Sequence, residues 1–227
     1  ISYGGTPLLF CCHMKTFYLV ALLLIFTVAA LAQDKTAPAS GPSAPIGKTA
    51  SPADLAQAAL AAHGGSKLKQ MRSLVTRGSV DVNVSGQMTP ATFSTVISGD
   101  KYMLEINNPF TPLKQVYDGK QTFSTLRSFS LPPITSLGFP LMSRIGDAGY
   151  LISDIGDLKK KRKGFRVTTP DGFYTDFIVD EKTGQIKGYE SSYEVNGRDV
   201  TTSVEIDEFQ TVDGIIMPKK YSQRIEM

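Results

Sequence analysis

The chain has 227 residues, of which 41% are hydrophobic, and a formal net charge of +3. This near balance of basic and acidic residues argues against a dedicated nucleic-acid-binding protein. Beyond residue 32 the chain contains one histidine, His63, and neither cysteine nor tryptophan, so disulfides and thiol catalysis are excluded from that part.

The first element in chain order is a secretory signal. Met14 and Lys15 are followed by the apolar run Thr16–Ala32, which ends in Ala30-Leu31-Ala32. A single positive charge, an apolar stretch and a small-residue end predict a signal peptide that is cleaved after Ala32. The alternative, a membrane anchor, is weaker because the run is shorter than the roughly 20 residues that a spanning helix needs.

The signal peptide divides the chain into four parts. Residues 1–13 contain both cysteines and are interpreted as upstream residues outside the mature protein; residues 14–32 form the signal peptide. Residues 33–50, rich in Ala, Pro, Ser and Gly, are predicted to form a flexible linker. Residues 51–227 are predicted to form one β domain. Cleavage would leave 195 residues with 23 basic and 21 acidic side chains, a net charge of +2.

The domain opens with a helix. Ser51 is the predicted N-cap, Pro52 the first helical residue, and Asp54 an acid in the first turn. Gly64 and Gly65 are expected to end this helix, and Ser66 is expected to cap a second, short one.

From Leu74 onward the hydrophobic pattern has a period of two, which is typical of strands with one buried and one wetter face. The strands are separated by turn motifs: Gly99-Asp100, Asp118-Gly119, Pro170-Asp171-Gly172, Lys182-Thr183-Gly184, Asn196-Gly197 and Asp213-Gly214. We therefore expect an α+β, mostly β fold with about ten antiparallel strands in one strongly curled sheet. The last residues, Ile225-Glu226-Met227, end within a strand pattern, which suggests that part of the sheet is missing.

The segment Leu126–Gly156 interrupts the strand pattern. It is too rich in proline for a long strand and too apolar for a solvated loop. We expect short helices and turns that pack onto the concave face of the curled sheet. Two interpretations stay open: a lid over a ligand cavity, or part of the core.

Short motifs resemble the periplasmic outer-membrane lipoprotein carrier superfamily (LolA-like), in its broad branch. They are Ser98–Glu105, Val116–Lys120 with its Asp-Gly-Lys hairpin, Phe165–Tyr189, and Val212–Pro218. The resemblance implies a half-open antiparallel β-barrel with an N-terminal helix and short helices across an apolar cavity that accepts acyl chains. It also implies a periplasmic location.

On this basis we predict a non-enzymatic carrier that binds a lipid or an acylated lipoprotein and needs no cofactor. The alternative is an envelope sensor or scaffold that uses the same fold to bind a protein partner or a membrane surface. The predicted lipid-binding residues are apolar: Phe93, Ile97, Tyr102, Leu104, Ile106, Phe129, Leu131, Ile134, Leu137, Phe139, Leu141 and Met142.

The strongest charge cluster is Lys159, Lys160, Lys161, Arg162 and Lys163. It is predicted to contact lipid headgroups or an anionic partner. The favoured alternative is a solvated hairpin turn or a lysine-protected sheet edge.

The sequence offers little for catalysis or metal binding. His63 lies at a helix end, where a cation interacts favourably with the helix dipole. The chain has no Gly-x-Ser-x-Gly motif, and one histidine without cysteine is a poor metal-ligand set.

Overall fold

The computed structural model of the chain describes residues 50–84, 87–110, 112–125, 134–155, 162–195 and 197–226. The predicted upstream residues and signal peptide, and all of the linker except Ala50, lie outside the described residues.

Two helices open the described chain, α1 (Pro52–Ala62) and α2 (Ser66–Lys69). The predicted start of α1 is confirmed: the Ser51 hydroxyl accepts a hydrogen bond from the Asp54 amide at 3.2 Å, and the Asp54 carboxylate accepts one from the Ser51 amide at 3.0 Å. These reciprocal bonds form a capping box. The predicted cap of α2 is wrong, because the N-cap is Gly65 and Ser66 is already the first helical residue.

The strands form two antiparallel sheets. The first has five strands in chain order, β1 (Ser73–Val84), β2 (Gln87–Ser98), β3 (Lys101–Asn107), β4 (Leu113–Tyr117) and β5 (Thr122–Ser124). The second has six, β6 (Leu151–Ser153), β7 (Gly164–Thr168), β8 (Tyr174–Val179), β9 (Ile186–Val195), β10 (Arg198–Val212) and β11 (Ile215–Glu226). Every predicted turn motif whose residues are all described joins two consecutive strands of one sheet; Asn196 of the Asn196-Gly197 motif lies outside the described residues.

The mostly β, antiparallel class is confirmed, but the single curled sheet of about ten strands is wrong. A continuous sheet would need a hairpin between β5 and β6. Instead, the described chain forms two 3₁₀ helices there, Ile134–Ser136 and Phe139–Arg144. Gly138, Gly146 and Gly149 have positive φ angles there, which suits turns and breaks a strand. Among the described residues, no strand of one sheet pairs with a strand of the other.

The predicted helices and turns of Leu126–Gly156 are confirmed for residues 134–150, whereas Leu151–Ser153 is a strand. The second 3₁₀ helix and α1 share the main core cluster with the six-stranded sheet. Phe165 and Phe177 stack at the centre with ring centroids 5.3 Å apart. The remaining fully buried side chains of this core include Ala59, Leu68, Leu141, Met142 and Ile186.

His63 joins three elements of this core. It is the C-cap of α1, and its Nδ1 lies 2.6 Å from the Ile216 carbonyl oxygen of β11. Its Nε2 accepts a hydrogen bond from the Ile186 amide of β9 at 2.9 Å. Because Nε2 accepts, Nδ1 must carry the proton that is donated to Ile216, and the buried ring is neutral.

Candidate functional site

One face of the five-stranded sheet carries a continuous set of apolar side chains. The register places Phe93 opposite both Gly78 and Ile106, and Ile97 opposite both Leu74 and Tyr102. Residues directly opposite one another in a sheet share a face. We call this set the apolar face; its members are Leu74, Phe93, Ile97, Tyr102, Leu104, Ile106 and Leu113.

The apolar face is covered unevenly. Ile97, Tyr102 and Leu113 are buried, whereas Phe93, Leu104 and Ile106 are only half-buried. Leu74 packs against the main core cluster, which places the apolar face on the side of the sheet nearest that core.

A buried polar pair interrupts the apolar face. The Gln115 amide donates a hydrogen bond to the Tyr102 hydroxyl, and the Tyr102 ring stacks on Tyr117 with centroids 5.8 Å apart. Burial raises the pKa of Tyr102 above its ordinary value. This phenol is therefore a neutral, hydrogen-bonded part of the face.

A cleft of about 530 Å³ lies between the edges of the two sheets. One wall consists of residues 71–77, from the start of β1, together with Phe93; the other comes from β10 and β11. The apolar lining residues are Met71, Leu74, Val75, Phe93, Val212, Ile215, Met217, Pro218 and Tyr221. Since Leu74 and Phe93 belong to both surfaces, the cleft is continuous with the apolar face.

The two strands that flank the cleft are sheet edges. Among the described strands, β1 pairs only with β2, and β11 only with β10. Alternate backbone groups of β1 therefore point into the cleft without a strand partner. Pro218 lies in β11, and proline is compatible with an edge strand because its missing amide hydrogen is not needed there.

Exposed apolar side chains border the cleft. Val75 is 54% exposed, Val212 45% and Tyr221 40%. All three line the same opening, although large exposed apolar side chains are normally scattered. The structure thus gathers three exposed apolar side chains at one opening.

The charged lining is mainly basic. Arg72, Arg77 and Lys219 line the cleft together with one acid, Asp213. Lys219 lies 3.2 Å from the Glu208 carboxylate. Neither arginine forms an ion pair with a described residue.

The structure does not bring all the predicted lipid-binding residues together on one surface. Five share the apolar face: Phe93, Ile97, Tyr102, Leu104 and Ile106. Of these, Phe93 also lines the cleft. Phe139, Leu141 and Met142 lie in the main core, Leu137 lies in a smaller cluster with Tyr193 and Val200, and Ile134 is half-buried in the first 3₁₀ helix. Phe129 and Leu131 lie outside the described residues.

The predicted headgroup cluster is described only at its end. Arg162 is exposed and Lys163 is half-buried, with its carbonyl accepting a hydrogen bond from the Val179 amide at 2.9 Å. Lys159, Lys160 and Lys161 lie outside the described residues.

Sequence reasoning missed Arg72, Arg77 and the β11 wall. The sequence pattern indicates the two arginines only weakly, because isolated basic residues in strands usually lie on solvent-exposed faces. The arginines and the β11 wall come near one another only because β1 and β11 lie on either side of the cleft, and these two strands are far apart in the chain.

The described residues contain no group of three or more His, Cys, Asp or Glu side chains that could hold a metal ion. Within the same residues, no helix has the length and apolar character needed to cross a membrane.

Comparison with known proteins gives one distant structural neighbour. No family model matches the chain, and no curated protein matches it. Among solved structures, the chain is similar to a DUF1329 family protein from Desulfovibrio piger, with 13% identity and a TM-score of 0.40. The match covers 77% of this chain and 84% of that one.

Proposed function

We propose that this protein binds the acyl chain of a lipid or of an acylated protein and shields it from water, without catalysing a reaction. The observation that carries the proposal is the continuity between the half-buried apolar face and the open cleft through Leu74 and Phe93. The LolA-like sequence motifs and the predicted signal peptide support a carrier role in the periplasm.

The size of the cleft suits such a ligand. Sites for small molecules typically enclose roughly 300–1,000 Å³ and are lined mainly by apolar side chains with a few polar groups. The cleft, at about 530 Å³, lies within this range. Burying a chain of about fifteen methylenes yields on the order of 12 kcal/mol before the costs of association.

The burial of residues within 134–150 supports assigning the binding surface to the five-stranded sheet. Leu141 and Met142 have no exposed surface and fill the core beneath α1. Opening them to a ligand would disrupt that core, whereas Phe93, Leu104 and Ile106 are already half-buried. We therefore assign the acyl chain to the apolar face and the cleft.

Phe93 gives the sharpest test, because it belongs to both surfaces. Phe93→Ala is expected to weaken binding of a fluorescent fatty acyl probe by roughly tenfold or more, since it removes a large apolar contact. The measurement is a fluorescence titration of the purified protein.

Phe123→Ala is the matched control. Phe123 is 58% exposed and lies on the same sheet, opposite Val116 and therefore on the face away from Phe93. The control should bind the probe like the unaltered protein. Equal affinity of all three proteins for the probe would contradict the assignment.

Among the described strands β1 pairs on one side only, and this edge favours a second candidate, a scaffold that binds an extended segment of a protein partner. Seven consecutive residues, 71–77, line the cleft, so it exposes backbone as well as side chains. An extended peptide could pair with this edge. The acyl titration separates the candidates, because a peptide-binding scaffold has no reason to retain the probe.

A further inference from the structure

We propose that two copies of this chain form a dimer by pairing their β1 strands edge to edge, antiparallel about a twofold axis at Ser79. The partner is a second copy of the chain because the exposed edge of β1 is complementary to itself. This inference goes beyond acyl-chain binding and does not depend on it.

β1 differs from the other sheet edges among the described strands. The edge strands β5 and β6 have only three residues each. The edge strand β11 carries Pro218, Lys219 and Lys220, and its register with β10 shifts twice. Proline, lysine and register irregularities all protect an edge against the addition of a strand. β1 has twelve residues, none of them proline or lysine, and its register with β2 runs without a shift, so it is the described edge best suited to accept a strand.

The middle of this edge is open to solvent. Arg77, Gly78, Ser79 and Asp81 are all exposed. Residues 78–81 also lie outside the lining of the cleft, which on this strand ends at residue 77. A second strand can therefore approach β1 at this point.

The backbone of β1 presents the hydrogen-bonding groups of its odd-numbered residues at the edge. The Gly99 amide donates a hydrogen bond to the Arg72 carbonyl at 3.1 Å, and bonded residues alternate along an antiparallel pair. The even-numbered residues of β1 therefore bond to β2, whereas Ser79 and its neighbours Arg77 and Asp81 direct their amide and carbonyl groups away from it. Two copies that are antiparallel about Ser79 bring these same residues into bonded pairs.

The two charged side chains of β1 select the register. Arg77 and Asp81 lie on one face of the sheet, but they are four residues or about 13 Å apart, too far to pair within the strand. The β2 residues opposite them, Ser94 and Pro90, are uncharged. An axis at Ser79 places Arg77 of each copy opposite Asp81 of the other and forms two cross-strand ion pairs. An axis at Arg77 would oppose two arginines, and an axis at Asp81 would oppose two aspartates, which is unfavourable.

This pairing ends at a dimer. Both copies use the same edge, so the contact is isologous and leaves no second β1 edge for a third copy. A single pair of strands buries little surface, and small interfaces are weak. We therefore expect a reversible dimer at concentrations of about 10–500 µM.

The test measures self-association by sedimentation velocity at low salt over this range. Asp81→Arg opposes two arginines at each end of the pairing and should weaken dimerisation roughly tenfold or more. Arg77→Asp should weaken it similarly by opposing two aspartates. Asp199→Arg is the matched control, because it makes the same change at an exposed position of β10, and it should keep the dimer. All three positions are exposed, so the variants are expected to remain folded.

Two combinations of these changes test the register itself. Arg77→Asp/Asp81→Arg exchanges the two charges and should restore the dimer to within about threefold of its original affinity. A mixture of the Arg77→Asp and Asp81→Arg proteins should form a heterodimer, because an edge with two aspartates then faces an edge with two arginines. A merely structural role for either residue would not produce this rescue.

Three results would overturn the proposal. The first is a monomer at every concentration in this range. The second is a dimer that Asp81→Arg leaves unchanged, or one that neither combination restores, because another surface would then hold the two copies together. The third is growth beyond a dimer, since an isologous pair of edges cannot extend.

Discussion

At the scale of single residues, His63 has a different role from the one its sequence position suggests. A histidine at a helix end suits a cation beside the dipole, but this ring is fully buried and bonded on both nitrogens. Burial lowers its pKa below the ordinary value of 6.5, although the bond to Ile216 opposes this. It also contacts Phe139 edge-on, with centroids 5.2 Å apart.

This lowered pKa predicts a pH dependence of stability. Below about pH 6.5 the unfolded chain binds a proton at His63 more readily than the folded chain does. The contribution of His63 is therefore complete above the unfolded pKa and is lost as the pH falls towards the folded pKa. Urea unfolding at about pH 7.5 and about pH 5.5 should show a larger loss of stability on acidification for the unaltered protein than for His63→Gln.

His63→Gln should also destabilise the protein by about 2–5 kcal/mol at neutral pH, because the Ile186 amide and the Ile216 carbonyl lose well-placed partners. An identical pH dependence in both proteins would show that His63 does not titrate differently on folding.

Asp176 shows a limit of the period-two pattern, since a carboxylate in a strand is expected on the wetter face. The residue is 1% exposed because Arg166 covers it with two hydrogen bonds, of 2.6 and 3.0 Å. The same guanidinium lies 3.9 Å above the Tyr174 ring. A period-two pattern predicts which face of the sheet a side chain points to. It does not predict whether a long neighbouring side chain, such as Arg166, covers that side chain.

At the scale of elements, the most reliable predictions were those that rest on short local sequence motifs. The start of α1 depends on residues 51–54, and the hairpins depend on two- or three-residue turn motifs. Each of these is decided by nearby backbone geometry, and each was predicted correctly except for the cap of α2. There, Gly65 takes a positive φ that suits glycine, and the helix begins at Ser66, one residue earlier than a cap at Ser66 would require.

The two serines give a matched test of the capping box. Ser51→Ala should destabilise the protein by about 1 kcal/mol, because it removes the acceptor for the Asp54 amide. Ser66→Ala is the control, since the N-terminus of α2 has no side-chain cap and the change should be close to neutral. Urea midpoints of the two variants measure the difference. Equal midpoints would contradict the assignment of Ser51 as the stabilising cap.

At the scale of the whole molecule, the sequence predicted the class of fold and left the sheet arrangement undetermined. Strand count and antiparallel order follow from local periodicity. The division into two sheets is seen where residues 134–150 form helices and turns between β5 and β6, and no local pattern encodes that. The same is true of the cleft, since its walls are about 140 residues apart in the chain.

The site could be predicted only in part for the same reason. Alternation placed Phe93, Ile97, Tyr102, Leu104 and Ile106 on strands, and the register confirms that they share one face. The apolar segment around Phe139 was equally suited to core and lid by composition. Packing against α1 and the six-stranded sheet decides where those side chains lie in the structure.

The central claim is that the apolar face and the cleft hold an acyl chain. The most direct measurement is native mass spectrometry of protein freshly isolated under mild conditions, followed by mass analysis of any released ligand. The account predicts adducts of acylated molecules that are depleted in Phe93→Ala and retained in Phe123→Ala. Recovery of the unliganded mass alone, together with no uptake of added palmitoyl amphiphile, would contradict it.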